Sequence, residues 1–67
     1  MTDVLRLTKI IKESGLKFNF IAEKCNLTSA GLRNKVDGKR QFTAGEVGAL
    51  KDLLGLSLKD VDEIFLR

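Results

Sequence analysis

The chain has 67 residues, 43% of them hydrophobic, and contains no proline, tryptophan, tyrosine or histidine. That length fits one domain, 1–67, and the apolar fraction argues against disorder. The net charge of +3 is unevenly spread: residues 1–42 carry nine Lys/Arg against four Asp/Glu, net +5, while residues 43–67 carry three against five, net −2. The basic half suits a polyanion partner, and a solvated surface accounts for the charge equally well.

A chain this short buries only roughly 60% of its unfolded surface and is marginally stable alone, so association would help it. Cys25 is the single cysteine, which rules out an intramolecular disulfide and suits a reducing compartment. It shares an apolar face with Ile21 and Ala22, as a small buried hydrophobe does. The start Met1-Thr2-Asp3-Val4 lacks the basic and apolar segments of a signal peptide. No stretch approaches the roughly 20 apolar residues that span a bilayer. A cytoplasmic protein with no membrane contact is expected. No enzyme is expected either: the carboxylates stand singly, Cys25 has no base partner, and the chain is too short for a substantial pocket. No cofactor, metal ligand set or small-molecule substrate is indicated.

The pattern predicts five short helices. The first covers 2–14, capped by Thr2 or Asp3, with Val4, Leu7 and Ile11 as its apolar stripe, widened by Leu5 and Ile10. Arg6, Lys9, Lys12 and Glu13 face water, and Gly15 supplies a C-cap. The second covers 18–25, where Phe18, Ile21, Ala22 and Cys25 follow the i, i+3, i+4, i+7 spacing. Phe20 falls off that stripe and either covers the edge of the core or stands exposed. Asn26 enters the left-handed region at low cost, as a tight helix exit requires.

The third helix runs from Thr28 or Ser29 to Val36 or Asp37, with Thr28 a good N-cap and Gly38 its stop. Gly31 within it costs about 1 kcal/mol relative to alanine, so a close approach is expected there, to the second helix or to DNA. Lys39, Arg40, Gln41 and Phe42 form a basic loop with one apolar anchor. Thr43 and Glu46 have the spacing of a capping box for a fourth helix that carries Val47, Leu50, Leu53 and Leu54 and stops at Gly55. Ser57 caps a fifth, Asp60 repeats the box spacing, and Leu58, Val61, Ile64 and Phe65 supply the apolar face.

Two short helices joined at Asn26-Leu27-Thr28 are the outline of a helix-turn-helix. From that point the sequence resembles the Cro/CI-type (XRE-like) helix-turn-helix family of lambdoid phage repressors and small bacterial regulators. The resemblance covers nearly all of the chain. It is carried by Leu16-x-x-x-x-Ile21-Ala22-x-x-Cys25-x-Leu27, by Leu32-x-x-x-Val36-Asp37-Gly38-Lys39, and by Leu53-Leu54-Gly55-Leu56-Ser57. The chain departs from the family at Asn26, where glycine is frequent, at Lys35 and Val36, which are shifted by one from the leucine of some relatives, and at Ser29 and Ala30, where glutamines are frequent.

The resemblance implies an all-α, compact five-helix lambda-repressor-like domain with its helix-turn-helix at the second and third helices. It implies sequence-specific binding of double-stranded DNA by a phage Cro-like repressor, acting as a homodimer on a two-fold operator. The third helix would enter the major groove N-terminus first and read bases with Ser29, Ala30, Arg33 and Asn34. Arg33 suits guanine, Asn34 adenine and Ala30 a thymine methyl, while Ser29 discriminates poorly. Arg33 could equally reach a phosphate. Lys17, Asn19, Thr28, Lys35, Lys39, Arg40 and Thr43 would hold phosphates, with Gln41 a further donor. Ile64, Phe65 and Leu66 either form the dimer surface or close the core. An alternative is a protein-interaction module of the same fold, antitoxin-like or anti-repressor-binding, in which Phe20 and the Phe65-Leu66 end would matter most. A third is the N-terminal piece of a larger repressor, although the capped fifth helix favours a complete small protein.

Overall fold

Side-chain caps open four of the helices in the computed structural model, which describes residues 2–65. The helices are α1 (Val4–Ser14), α2 (Phe18–Lys24), α3 (Ser29–Val36), α4 (Ala44–Leu54) and α5 (Leu58–Phe65), and the described residues contain no strand. Asp3, not Thr2, caps α1 by accepting the Arg6 N–H at 3.1 Å. Thr28 accepts the Gly31 N–H at 3.0 Å at the start of α3. Thr43 and Glu46 complete the box expected for α4, each bonding the other's backbone N–H. Ser57 and Asp60 do the same before α5.

The core is built from Leu7 and Ile11 of α1, Ile21 and Ala22 of α2 with Cys25, Leu32 and Val36 of α3, Leu50 of α4, Leu56, and Ile64 of α5. α1 packs against α3, α4 and α5, and α4 also meets α2. Two expectations about this core fail, and one alternative is settled. Leu5 is 84% exposed: it stands two residues from Leu7, about 200° around the helix. Leu58 is 77% exposed as the first residue of α5, although its angle puts it on the side of the helix that carries Val61 and Phe65. Leu56 is buried, and its N–H bonds back to the Lys51 carbonyl at 2.9 Å across the left-handed Gly55. Ile64 is fully buried and closes the core, so it offers no dimer surface. Phe65 is half-buried with its ring edge-on to Phe42, 5.3 Å between centroids. Leu66 lies outside the described residues.

The two ends of the chain are tied together. The Asp3 N–H bonds to the Ile64 carbonyl at 2.7 Å. Arg6, expected to face water, instead reaches Asp60 at 3.0 Å and Glu63 at 2.6 Å. Among the described residues no helix is long and apolar enough to cross a membrane.

A second tie joins α3 to α4. Lys35 Nζ lies 2.5 Å from Glu46 Oε1, with the two side chains only 14% and 13% exposed. The same oxygen accepts the Thr43 N–H at 2.9 Å. Burial alone would raise the Glu46 carboxyl, but the Lys35 and Thr43 hydrogen bonds outweigh it and hold the group below the ordinary carboxylate value. A carboxyl lowered in the folded state contributes stability above its unfolded pKa of about 4.3, and that contribution is lost as pH falls through the lower folded value. Glu46→Gln is expected to cost about 1–3 kcal/mol at neutral pH. It should also flatten the loss of stability below about pH 4.3. Urea denaturation of both proteins across that range checks this, and an unchanged acid slope would show that the pair does not act.

Candidate nucleic-acid interface

α3 has eight residues, and its two core anchors, Leu32 and Val36, are 0% and 1% exposed. Because successive residues rotate by about 100°, the remaining positions are assigned by geometry. Ala30 and Asn34 point opposite the anchors, Ser29 and Arg33 fall on the flank toward α2, and Lys35 falls on the flank toward α4. Ser29, Ala30, Arg33 and Asn34 are all exposed.

The direction of this helix is set by two turns of one kind. α2 ends at Cys25, and Asn26 takes φ of 58°, the one non-glycine residue with positive φ among those described. The Leu27 N–H then bonds to the Ala22 carbonyl at 2.9 Å and the Asn26 N–H to the Glu23 carbonyl at 3.1 Å, which is a complete Schellman pair. The pattern repeats at the end of α3. Gly38 has φ of 83°, the Lys39 N–H meets the Asn34 carbonyl at 2.9 Å and the Gly38 N–H meets the Lys35 carbonyl at 3.1 Å. A Cβ at Gly38 would also come within 3.1 Å of Val4 Cγ2, so this turn lies directly against α1. The Arg40 N–H shares the Asn34 carbonyl at 3.3 Å, which folds Lys39 and Arg40 back onto the last turn of the helix.

The first turn of α2 forms the neighbouring wall. Ser29 Oγ donates to Asn19 Oδ1. The Arg33 guanidinium lies over the Phe18 ring, 4.3 Å from its centroid, and 3.9 Å from Asp37. Lys17 is exposed at the N-cap of α2 and makes no side-chain cap bond. Lys39, Arg40, Gln41, Thr28 and Thr43 are exposed as well. Lys17, Asn19, Thr28, Ser29, Ala30, Arg33, Asn34, Lys39, Arg40 and Thr43 are all exposed, at the start of α2, on and before α3, and in the segment leading to α4.

Lys35 is the exception among the expected phosphate ligands. Its ammonium is largely buried and committed to Glu46, so it serves as the brace between α3 and α4. Thr28 and Thr43 each use the hydroxyl oxygen to accept a backbone N–H, which leaves the hydroxyl proton to donate. Gly31 also has a different explanation from the two expected. A Cβ there would stand 3.1 Å from Thr28 Oγ1 and 3.9 Å from Leu27 Cδ2, so the glycine makes room for the cap of its own helix.

Cys25 is buried, and burial pushes its thiol pKa up, as a packing residue requires. Phe20 is 39% exposed beneath Lys24, whose ammonium is 5.3 Å from the ring centroid. No spacing signal marks Phe18, Asn19 or Glu46 as partners of Arg33, Ser29 and Lys35. The three pairs are 15, 10 and 11 residues apart in the chain and meet only through the angles between helices. No protein-family model, curated protein or solved structure matches this chain significantly.

The turn at Asn26 gives a direct test of how α3 is aimed. Asn26→Ala is expected to cost about 1 kcal/mol because alanine is strained in the left-handed region. Asn26→Gly should remain within about 0.5 kcal/mol of the parent. Thermal denaturation of the two variants checks this, and equal stability for both would remove the turn from the account.

Proposed function

We propose that this chain is a sequence-specific double-stranded DNA-binding protein with a lambda-repressor-like helix-turn-helix fold, acting in the cytoplasm as a transcriptional repressor of Cro type. In this reading α2 positions and α3 reads. The observation that carries it is the outward face of α3: four exposed side chains, backed by two buried anchors and framed by cations at Lys17, Lys39 and Arg40.

A helix of this kind fits the B-DNA major groove, which is about 12 Å wide. Asn34, opposite the anchors, is placed to meet adenine with its amide, and Ala30 to meet a thymine methyl. Arg33, on the α2 flank, brings a planar donor fork suited to guanine O6 and N7. Ser29 is already bonded to Asn19, so it contributes by shaping the surface and offers a hydroxyl as acceptor. Lys17, Lys39 and Arg40 neutralise phosphates and fix register, and the Thr28 and Thr43 hydroxyls add donors there. Three reading side chains on one short helix, with Ser29 shaping the surface beside them, suffice for a half-site only, so the proposal includes a homodimer on a two-fold operator. It includes no catalytic step and no cofactor: the surface binds.

Selection from a randomised duplex library, followed by fluorescence anisotropy, tests this. Arg33→Ala and Asn34→Ala should each lose about 1–3 kcal/mol of discrimination at one base pair. Binding to random DNA should change little. Equal losses on selected and random duplexes would show that these side chains do not read bases. Lys39→Ala should weaken both kinds of binding and reduce the slope of log affinity against log salt by about one. An unchanged slope would remove Lys39 from the phosphate contacts.

A further inference from the structure

The Arg33 guanidinium sits 4.3 Å from the centroid of the Phe18 ring. Phe18 is itself half-buried and packed against the core, so the ring is held from beneath. Ile11, Thr8, Lys12 and Val36 line the same shallow recess, which lets the arm of Arg33 lie along protein before its head emerges. The side chain is still 55% exposed, and its head is 3.9 Å from Asp37, too long for a strong bond. A guanidinium carries all its N–H donors in its own plane, so a ring parallel to that plane would cover a face and use none of them. This differs from the treatment of Lys35, whose donors are spent on Glu46. It differs also from Lys24 over Phe20, where a spherical ammonium has no plane to orient.

We propose that Phe18 is a positioning residue for Arg33: its ring fixes the plane of the guanidinium before contact, and the base pair so read is one whose guanine presents two acceptors to the fork. The inference rests on the DNA-binding reading above and adds a specificity determinant on α2, outside the reading helix. Arginine has about 2 kcal/mol of rotamer freedom to lose on forming a planar contact, and a stacked head has lost part of it already. A phosphate would accept the same head from many directions and would not require the plane to be fixed.

The test compares wild type, Phe18→Leu, Phe18→Tyr, Arg33→Ala and the Phe18→Leu/Arg33→Ala double variant, on the duplex selected by wild type and on its single-base-pair variants. Phe18→Leu should lower the guanine preference about two- to five-fold, at the base pair whose preference Arg33→Ala abolishes. Phe18→Tyr, which keeps the ring face, should retain the preference. In the double variant the Leu substitution should have no further effect at that position. The salt slope should be the same for Phe18→Leu as for wild type. An equal loss on every duplex in both Phe18 variants would overturn the proposal, and so would a Leu effect that persists without Arg33. Failure of wild type to select any sequence would instead sink the DNA reading, and the proposal with it. A readout without DNA separates the two: in proton NMR of the free protein the Arg33 Hδ signals should lie upfield in wild type and Phe18→Tyr, and return toward ordinary positions in Phe18→Leu. Ordinary positions in wild type would overturn the stack whatever the DNA result.

Discussion

The burial of two side chains, Leu32 and Val36, is what the rest of the molecule depends on. An isolated helix of eight residues is not stable in water, because helices shorter than about 12 residues barely repay their nucleation. α3 exists because these two residues are sealed against α1 and α2. Once they are buried, every other position on α3 is fixed in direction, and four of them have nowhere to go but outward. The core that does this is small, ten buried residues among those described. Its supports are correspondingly local: caps at the starts, left-handed turns at the ends, and a few ion pairs between helices.

Those ion pairs divide into two kinds. The Arg6 pair with Asp60 and Glu63 is about a third exposed and joins the two ends of the chain. Pairs of that exposure contribute little individually. The Lys35–Glu46 pair is nearly covered, shares its carboxylate with the cap of α4, and sets where α4 begins relative to α3. Breaking such a pair leaves a charge without a partner in a place water hardly reaches, which costs more than the intact pair contributes. It also means that the basic surface beside α3 is carried by Lys17, Lys39 and Arg40, with Lys35 held inside as structure. The two flanks of α3 are therefore unlike. One is locked by charge to α4, and the other is shaped by the ring and amide of Phe18 and Asn19.

How much of this was legible in the sequence follows the range of each interaction. The Thr28, Thr43 and Ser57 caps, the left-handed exit at Asn26 and the core roles of Leu7, Ile21, Leu32, Val36 and Leu50 were all readable, since each is decided within about one helical turn. Leu5 is apolar but its angle on α1 turns it away from the core, while Leu58 shares the face of Val61 and Phe65 yet stands exposed at the first position of α5. Leu56 was passed over because it lies outside any helix, in a turn whose return bond carries it into the core. The Arg33–Asp37 pair has the readable i, i+4 spacing, but the Phe18 ring beneath Arg33 and the partners of Lys35, Ser29 and Arg6 do not, because no rule of spacing reaches across 10 to 57 residues. The Ile64 alternative, dimer surface or core, was decided by complete burial. The face of α3 was legible as a set of side chains, but not as a surface with two different edges.

In the proposed function, the outward face of α3, with the α2 start and the 39–43 loop, meets DNA. Amide chemical-shift mapping during titration with a duplex selected by the protein tests it most directly. The changes should fall in residues 17–19, 28–34 and 39–43, with 58–65 unmoved apart from any dimer contact. Changes centred on the exposed parts of α1 and α5, with α3 silent, would contradict it.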